Sequence, residues 1–100
     1  MMSFDNLVKK LLKEPGGILL KEDIFEIIDP EKKPAYQSFV DKAIYKMKIN
    51  RVIIPLKSGA YIIPEKEDLS LNEIDLLEKY YLKLLKRFIT FYVGSEYYIS

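Results

Sequence analysis

The chain has no cysteine and no histidine. Without cysteine there is no disulfide, no thiol nucleophile and no thiolate ligand for a metal. Without histidine the commonest general base and the imidazole zinc ligand are missing as well. Glycine is sparse, at four residues, and none of them builds a phosphate-cradling loop; Pro15-Gly16-Gly17 reads as a helix stop. Acidic residues are plentiful, yet none falls in a D-x-D-x-D-G or H-E-x-x-H arrangement. These absences argue against an enzyme, and no metal or other cofactor is expected. No apolar run approaches the roughly 18 residues of a membrane span. The opening MMSFDNLVKK is charged within a few residues, so it is not a signal peptide. A cytoplasmic protein without membrane contact is the expectation. Internal repeats and low-complexity segments are also lacking, and neither sign of charge dominates, with 16 basic against 15 acidic side chains.

What is present suits one small domain or one domain with an extension. The 100 residues are 49% hydrophobic, enough for a core, and 31% charged, which argues against disorder. The charge is unevenly placed. Residues 32 to 57 hold Lys32, Lys33, Lys42, Lys46, Lys48, Arg51 and Lys57 against Asp41 alone, a net +6 inside a chain of net +1. A basic block of this kind is the electrostatic footprint of phosphate binding; a solvated lysine-rich face is the plainer reading.

That block coincides with the stretch PAYQSFVDKAIYKMKINRVIIPLKSGAYIIP, residues 34 to 64. Tyr36, Val40, Ala43, Ile44 and Met47 recur at helical spacing and predict a helix from Pro34 to about Lys48. Pro34 suits the first helical position, where an N–H is not needed. The opposite face carries Gln37, Ser38, Asp41, Lys42, Tyr45 and Lys46, side chains that reach phosphates and base edges. Asp41 is out of place there, since it repels phosphate unless it accepts from a cytosine amino group. Two β-type runs follow, Arg51–Leu56 and Ala60–Ile63, joined by Lys57-Ser58-Gly59. Pro55 cannot donate to a ladder and should face an open edge or end its strand. Helix followed by hairpin is the second half of a winged helix-turn-helix.

The rest of the chain fits around that unit. Ser3 is placed to cap a first helix whose apolar stripe is Phe4, Leu7, Val8, Leu11 and Leu12. Ile18-Leu19-Leu20 reads as a brief strand pairing with the hairpin, or as a helix start. Lys21 to Ile28 reads as a second helix, with Ile24, Phe25, Ile27 and Ile28 buried and Glu22 and Asp23 favouring its N-terminus. Asp29 to Pro34 is a stiff turn into the basic helix. After a polar connector, Ser70-Leu71-Asn72-Glu73 has the form of a capping box, with Leu69 and Ile74 as its staple. The helix it starts should run at least to Lys86 and as far as Tyr92. Ile74, Leu77, Tyr81, Leu84 and Phe88 follow coiled-coil spacing and are the candidate dimer interface; a wide intramolecular contact is the alternative. Phe88 to Val93 is rich enough in β-branched and aromatic residues to end as strand, and Gly94 should break whatever precedes it. The apolar tail then stops abruptly, which points to further chain or a partner beyond Ser100.

The run KAIYKMKINRVIIPLKSGAYIIP, with YYIS at Tyr97 to Ser100, resembles the N-terminal winged helix of AbiEi-like antitoxins of type IV toxin–antitoxin systems. The resemblance rests on Ala43 and Ile44 in the basic helix, Met47 after them, a basic turn, and a hairpin closing on Gly59-Ala60-Tyr61. In that family a yYIS segment opens a second domain. Where the family has glycine between helix and hairpin this chain has Asn50-Arg51, and Asn50 tolerates the left-handed backbone needed there. The resemblance implies binding to inverted repeats in the protein's own promoter, and repression of it.

The expected fold is therefore α+β, mostly α: a winged helix-turn-helix over residues 1–64 and a helical extension over 65–100. The expected function is sequence-specific binding of double-stranded DNA. Gln37, Ser38, Lys42 and Tyr45 face bases in the major groove. Lys33, Lys46, Lys48 and Arg51 hold phosphates, and Lys57 and Ser58 reach the backbone or minor groove. A homodimer through the C-terminal helix and a protein partner are further expectations. A winged helix used for protein–protein contact is the alternative, favoured by the eight tyrosines.

Overall fold

A computed structural model describes residues 2–28, 31, 37–56 and 59–97, with side chains described through residue 89. In chain order the described residues form α1 (Phe4–Leu11), β1 (Ile18–Leu20), α2 (Lys21–Ile28), α3 (Gln37–Ile49), β2 (Ile54–Pro55), β3 (Ala60–Ile62), a short 3-10 helix (Lys66–Ser70) and α4 (Glu73–Tyr97). The protein is α+β and mostly helical. Pro34, Tyr36, Lys33, Lys57 and Ser58, and the turn from Asp29, fall outside the described residues apart from Glu31.

The sheet has the order β1-β3-β2, antiparallel throughout. Ile18 stands opposite Ile62 and Leu20 opposite Ala60, while Ile54 pairs with Ile62 from the other side. Ile18-Leu19-Leu20 is thus strand, resolving the two readings of that run. Successive strand residues face opposite sides, and the core divides accordingly. Leu19 and Tyr61 pack with Leu7, Leu11, Ile24, Ile28, Val40, Ala43, Ile44 and Met47 of α1, α2 and α3. Ile18, Ile54 and Ile62 pack with Leu76, Tyr80, Leu77 and Leu84 of α4. Three helices cover one face of the sheet and α4 covers the other.

Local chemistry sets the element ends. The Ser3 hydroxyl accepts from the Asn6 N–H and caps α1. In α1, Leu7 and Leu11 are fully buried and Phe4 and Val8 partly so, but Leu12 lies past the last helical turn and is exposed. α2 is capped from within, since the Asp23 carboxylate reaches back to the Leu20 N–H at 2.7 Å. Ile24 and Ile28 are buried, with Phe25 and Ile27 half-buried.

α3 ends in a Schellman arrangement. The Val52 N–H donates to the Met47 carbonyl at 2.9 Å and the Arg51 N–H to the Lys48 carbonyl at 3.2 Å. The left-handed residue is Arg51, at φ 58°, rather than Asn50. This cap also corrects the expected strand. The N–H groups of Arg51, Val52 and Ile53 turn back onto the helix, so pairing begins only at Ile54. Pro55 ends the edge strand β2, as a residue without an N–H must. Leu56 donates to Ala60 across the loop at 2.8 Å, and Gly59 supplies the positive φ, 77°, that a three-residue hairpin loop needs.

The connector into α4 differs from the expected one. Ser70 does not cap the long helix; its hydroxyl donates to the Glu67 carbonyl inside the 3-10 helix. Asn72 is the cap, accepting from the Asp75 N–H at 2.8 Å, and Leu69 and Ile74 are both exposed and form no staple. The reason lies in Asp68. Its carboxylate is completely buried and accepts from the Tyr80 hydroxyl, the Lys79 ammonium and the Glu65 N–H. Placing it there requires the extra 3-10 turn. α4 then continues through Gly94 to Tyr97, with no strand after Phe88. A glycine costs about 1 kcal/mol in a helix interior, which a helix of 25 residues tolerates.

Polar anchors join α4 to the remainder. Burial works against ionisation of Asp68, but the hydrogen bonds from Lys79, Tyr80 and Glu65 outweigh it and hold its carboxyl below the usual carboxylate value. Burial first, and then the hydrogen bond to that carboxylate, push the Tyr80 hydroxyl well above its ordinary value. Lys83 donates to the Gly16 carbonyl at 3.1 Å and Arg87 pairs with Asp23 at the start of α2. Gly16 adopts φ 83°, and its N–H donates to the Ile63 carbonyl at 2.6 Å. The glycine pair therefore locks the end of the hairpin as well as stopping α1. No helix among the described residues is long and apolar enough to cross a membrane.

Candidate nucleic-acid interface

α3 forms because its apolar residues fall on one stripe. Val40, Ala43, Ile44 and Met47 are buried against α1, α2 and the sheet, as their spacing predicts. Burying that stripe turns the remaining side chains outward. Gln37, Ser38, Asp41, Lys42, Tyr45, Lys46 and Lys48 are all exposed. Ser38, Lys42, Tyr45 and Ile49 lie within about 60° around the helix axis. Ser38, Asp41, Lys42, Tyr45 and Lys46 line a shallow concavity of about 370 Å³.

The misplaced acid on this face has a local partner. Asp41 pairs with Lys21, the first residue of α2, at 2.8 Å. Both side chains are about half exposed, so the pair contributes less than about 1 kcal/mol to stability. Its consequence is electrostatic: the one negative charge of the basic segment is offset across the α2–α3 junction. Lys21 was not singled out in the sequence, because its distance from Asp41 along the chain carries no hint of the contact.

Two of the expected phosphate-holding residues have intramolecular contacts. The Lys46 ammonium lies 5.3 Å from the centroid of the Phe4 ring of α1. Arg51 donates to the Leu69 carbonyl at 3.1 Å and so ties the end of α3 to the 3-10 helix. Lys42 and Lys48 project from α3 without such a contact being evident from spacing, and Lys48 sits with Lys46 in the last turn, where cations complement the helix dipole. Lys33, Lys57 and Ser58 lie outside the described residues.

One residue of this face escaped the sequence reading. Ile49 is 61% exposed, next to Tyr45 at 62%, one turn apart along α3. An exposed isoleucine beside an exposed tyrosine on a basic helix offers apolar surface of the kind that meets a thymine methyl group. The available signal was its offset from the Val40–Met47 stripe.

The candidate dimer residues do not share one environment. Ile74 and Tyr81 are exposed, whereas Leu77 and Leu84 pack against the cluster of Leu56, Ile62, Leu76 and Tyr80, and Phe88 is half-buried. The coiled-coil spacing runs along the border between the inward and outward faces of α4. No protein-family model matches the chain, and neither does any curated protein or solved structure compared with it.

Proposed function

We propose that this chain is a winged helix-turn-helix protein that binds double-stranded DNA, with α3 in the major groove and the β2–β3 hairpin as a wing on the backbone or minor groove. The observation that carries the reading is the division of α3. One face is consumed by the core, and the other presents Ser38, Lys42, Tyr45, Lys46 and Lys48 together, with the Asp41 charge offset by Lys21. The element order also supports it: helix, strand, two helices and then a hairpin whose inner strand pairs with β1. In this reading Lys42, Lys46 and Lys48 neutralise phosphates, while Gln37, Ser38, Tyr45 and Ile49 meet base edges. The resemblance to the antitoxin domain extends the reading to repression of the protein's own promoter.

Fluorescence anisotropy with a random duplex and with the protein's own upstream DNA, across a range of salt, tests this. Binding that weakens steeply with salt, and is tighter for the upstream piece, is the expected result. Absence of binding to both at low salt overturns it. That outcome favours the second reading, a protein-interaction module, for which the exposed apolar residues of α4 are the supporting observation.

A further inference from the structure

The outward face of α4 is apolar. Ile74, Tyr81, Leu82, Leu85 and Ile89 are all exposed, Ile74 and Leu82 to 74% and 76%. At about 100° per residue they occupy an arc of roughly 100°. The opposite side carries Leu76, Tyr80, Lys83 and Arg87, which hold the helix to the domain. A continuous apolar stripe of this kind on a small protein marks an association surface.

The charges along the helix say what covers it. From residue 73 to 78 they are all acidic, Glu73, Asp75 and Glu78; from 79 to 87 they are all basic, Lys79, Lys83, Lys86 and Arg87. Glu78 lies inside the apolar arc. If two such helices pair in parallel, Glu78 meets its own copy on a seam being stripped of water, and like charges along the whole contact repel. If they pair antiparallel, each acidic half lies along a basic half. With Ile74 opposite Ile89 of the second copy, Tyr81 falls opposite Leu82, and Glu78 falls beside Leu85 and Lys86. The stripe is complementary to itself reversed, which is what a two-fold interface requires.

We propose that two copies of this chain associate through the outward faces of α4, antiparallel, with Ile74 opposite Ile89. The seam is not the one that heptad spacing suggests, because Leu77 and Leu84 are already packed on the sheet. The inference stands independently of DNA binding. From Ile74 to Ile89 the contact is about 22 Å long at 1.5 Å per residue. That puts the interface at the small end of specific ones, below about 1,200 Å², and makes the dimer concentration-dependent.

The lack of cysteine makes every introduced thiol unique, so crosslinking tests orientation directly. Ile74→Cys and Ile89→Cys proteins are mixed and mildly oxidised. The mixed 74–89 disulfide is expected to dominate. In the antiparallel pair two copies of position 74 are about 22 Å apart, beyond the roughly 7 Å between Cα atoms that a disulfide spans. Sedimentation from about 10 μM to 1 mM is expected to show the mass of the unaltered chain rising from 11.8 kDa towards twice that value. Leu82→Glu should hold it at the monomer mass with unchanged circular dichroism. Glu78→Lys should weaken association roughly tenfold, and adding Lys86→Glu in the same chain should restore it. A monomer mass at 1 mM overturns the proposal. So does crosslinking of Ile74→Cys mainly with itself, or a Leu82→Glu protein that associates like the unaltered chain.

Discussion

α3 and α4 are both amphipathic helices that bury one face against the same small sheet, from opposite sides, yet their outward faces differ in kind. That of α3 carries lysines, a serine and a glutamine around Tyr45 and Ile49; that of α4 carries Ile74, Tyr81, Leu82, Leu85 and Ile89 around a single Glu78. The inward faces answer to the same requirement, removal of apolar surface from water. The outward faces are free of it, so their composition reports function. A basic outward face suits a polyanion, and an apolar one suits another protein surface.

The comparison breaks most visibly when a charge is placed on each side of α4. Leu76 is only 2% exposed, and Leu76→Asp should cost upwards of about 4 kcal/mol and abolish a cooperative thermal transition. Leu82→Asp, on the opposite side, should change monomer stability by less than about 0.5 kcal/mol. Equal effects by thermal denaturation in dilute solution would mean that the inward and outward faces of α4 are misassigned.

On α3 the decisive change leaves the fold alone. Lys42→Glu with Lys46→Glu should reduce duplex affinity by on the order of 100-fold and flatten its salt dependence, with unaltered circular dichroism. Duplex binding unchanged in anisotropy would remove α3 from the interface.

A smaller effect separates the two sides of the sheet by pH. Asp68 has a depressed pKa in the folded protein, so its contribution is present above the ordinary value of 3.8 and is lost as pH falls through the folded value. Tyr80 has a raised pKa, so its contribution is complete below 10.0 and is lost as pH rises through its folded value. Lys79, raised chiefly by its hydrogen bond to Asp68, follows the same alkaline limb. Tyr80→Phe should cost about 2 kcal/mol near neutral pH and shallow that limb, while Asp68→Asn should flatten the acid one. Urea midpoints measured between acid and alkaline pH check both signs.

The smallest expected effect concerns the cap that ends α3. Arg51→Ala removes the hydrogen bond to Leu69 and keeps a side chain in left-handed backbone, whereas Arg51→Gly removes both the bond and the strain. The glycine variant should therefore be the more stable of the two by about 1 kcal/mol. Equal urea midpoints for the two variants would show that the left-handed backbone at 51 carries no cost.

Periodicity carried far in this chain because amphipathic spacing is a local property. The stripe from Val40 to Met47, the span of α2, the brief strand Ile18–Leu20 and the cap at Ser3 all follow from nearest-neighbour chemistry. The misreadings share one cause. Ser70-Leu71-Asn72-Glu73 satisfies the pattern of a capping box, but Asp68 is drawn into a buried site by Tyr80 and Lys79, which lie a helix turn and more beyond it. Arg51 to Ile53 have strand composition, but their N–H groups close the end of α3. In the same way Asp41 looked like an intruder on a basic face until Lys21 came beside it.

The sequence by itself determined where the helices lie, which face of α3 is buried and where the positive charge accumulates, because each depends on residues within a few positions of one another. Only the tertiary structure decided which face of α4 is inward. Ile74, Leu77, Tyr81 and Leu84 are equally apolar in the sequence. They are sorted into buried and exposed only when α4 docks on Ile54, Leu56 and Ile62 of the hairpin and is held there by Asp68, Gly16 and Asp23. Those partners come from distant parts of the chain, and no local pattern encodes the angle at which a helix meets them.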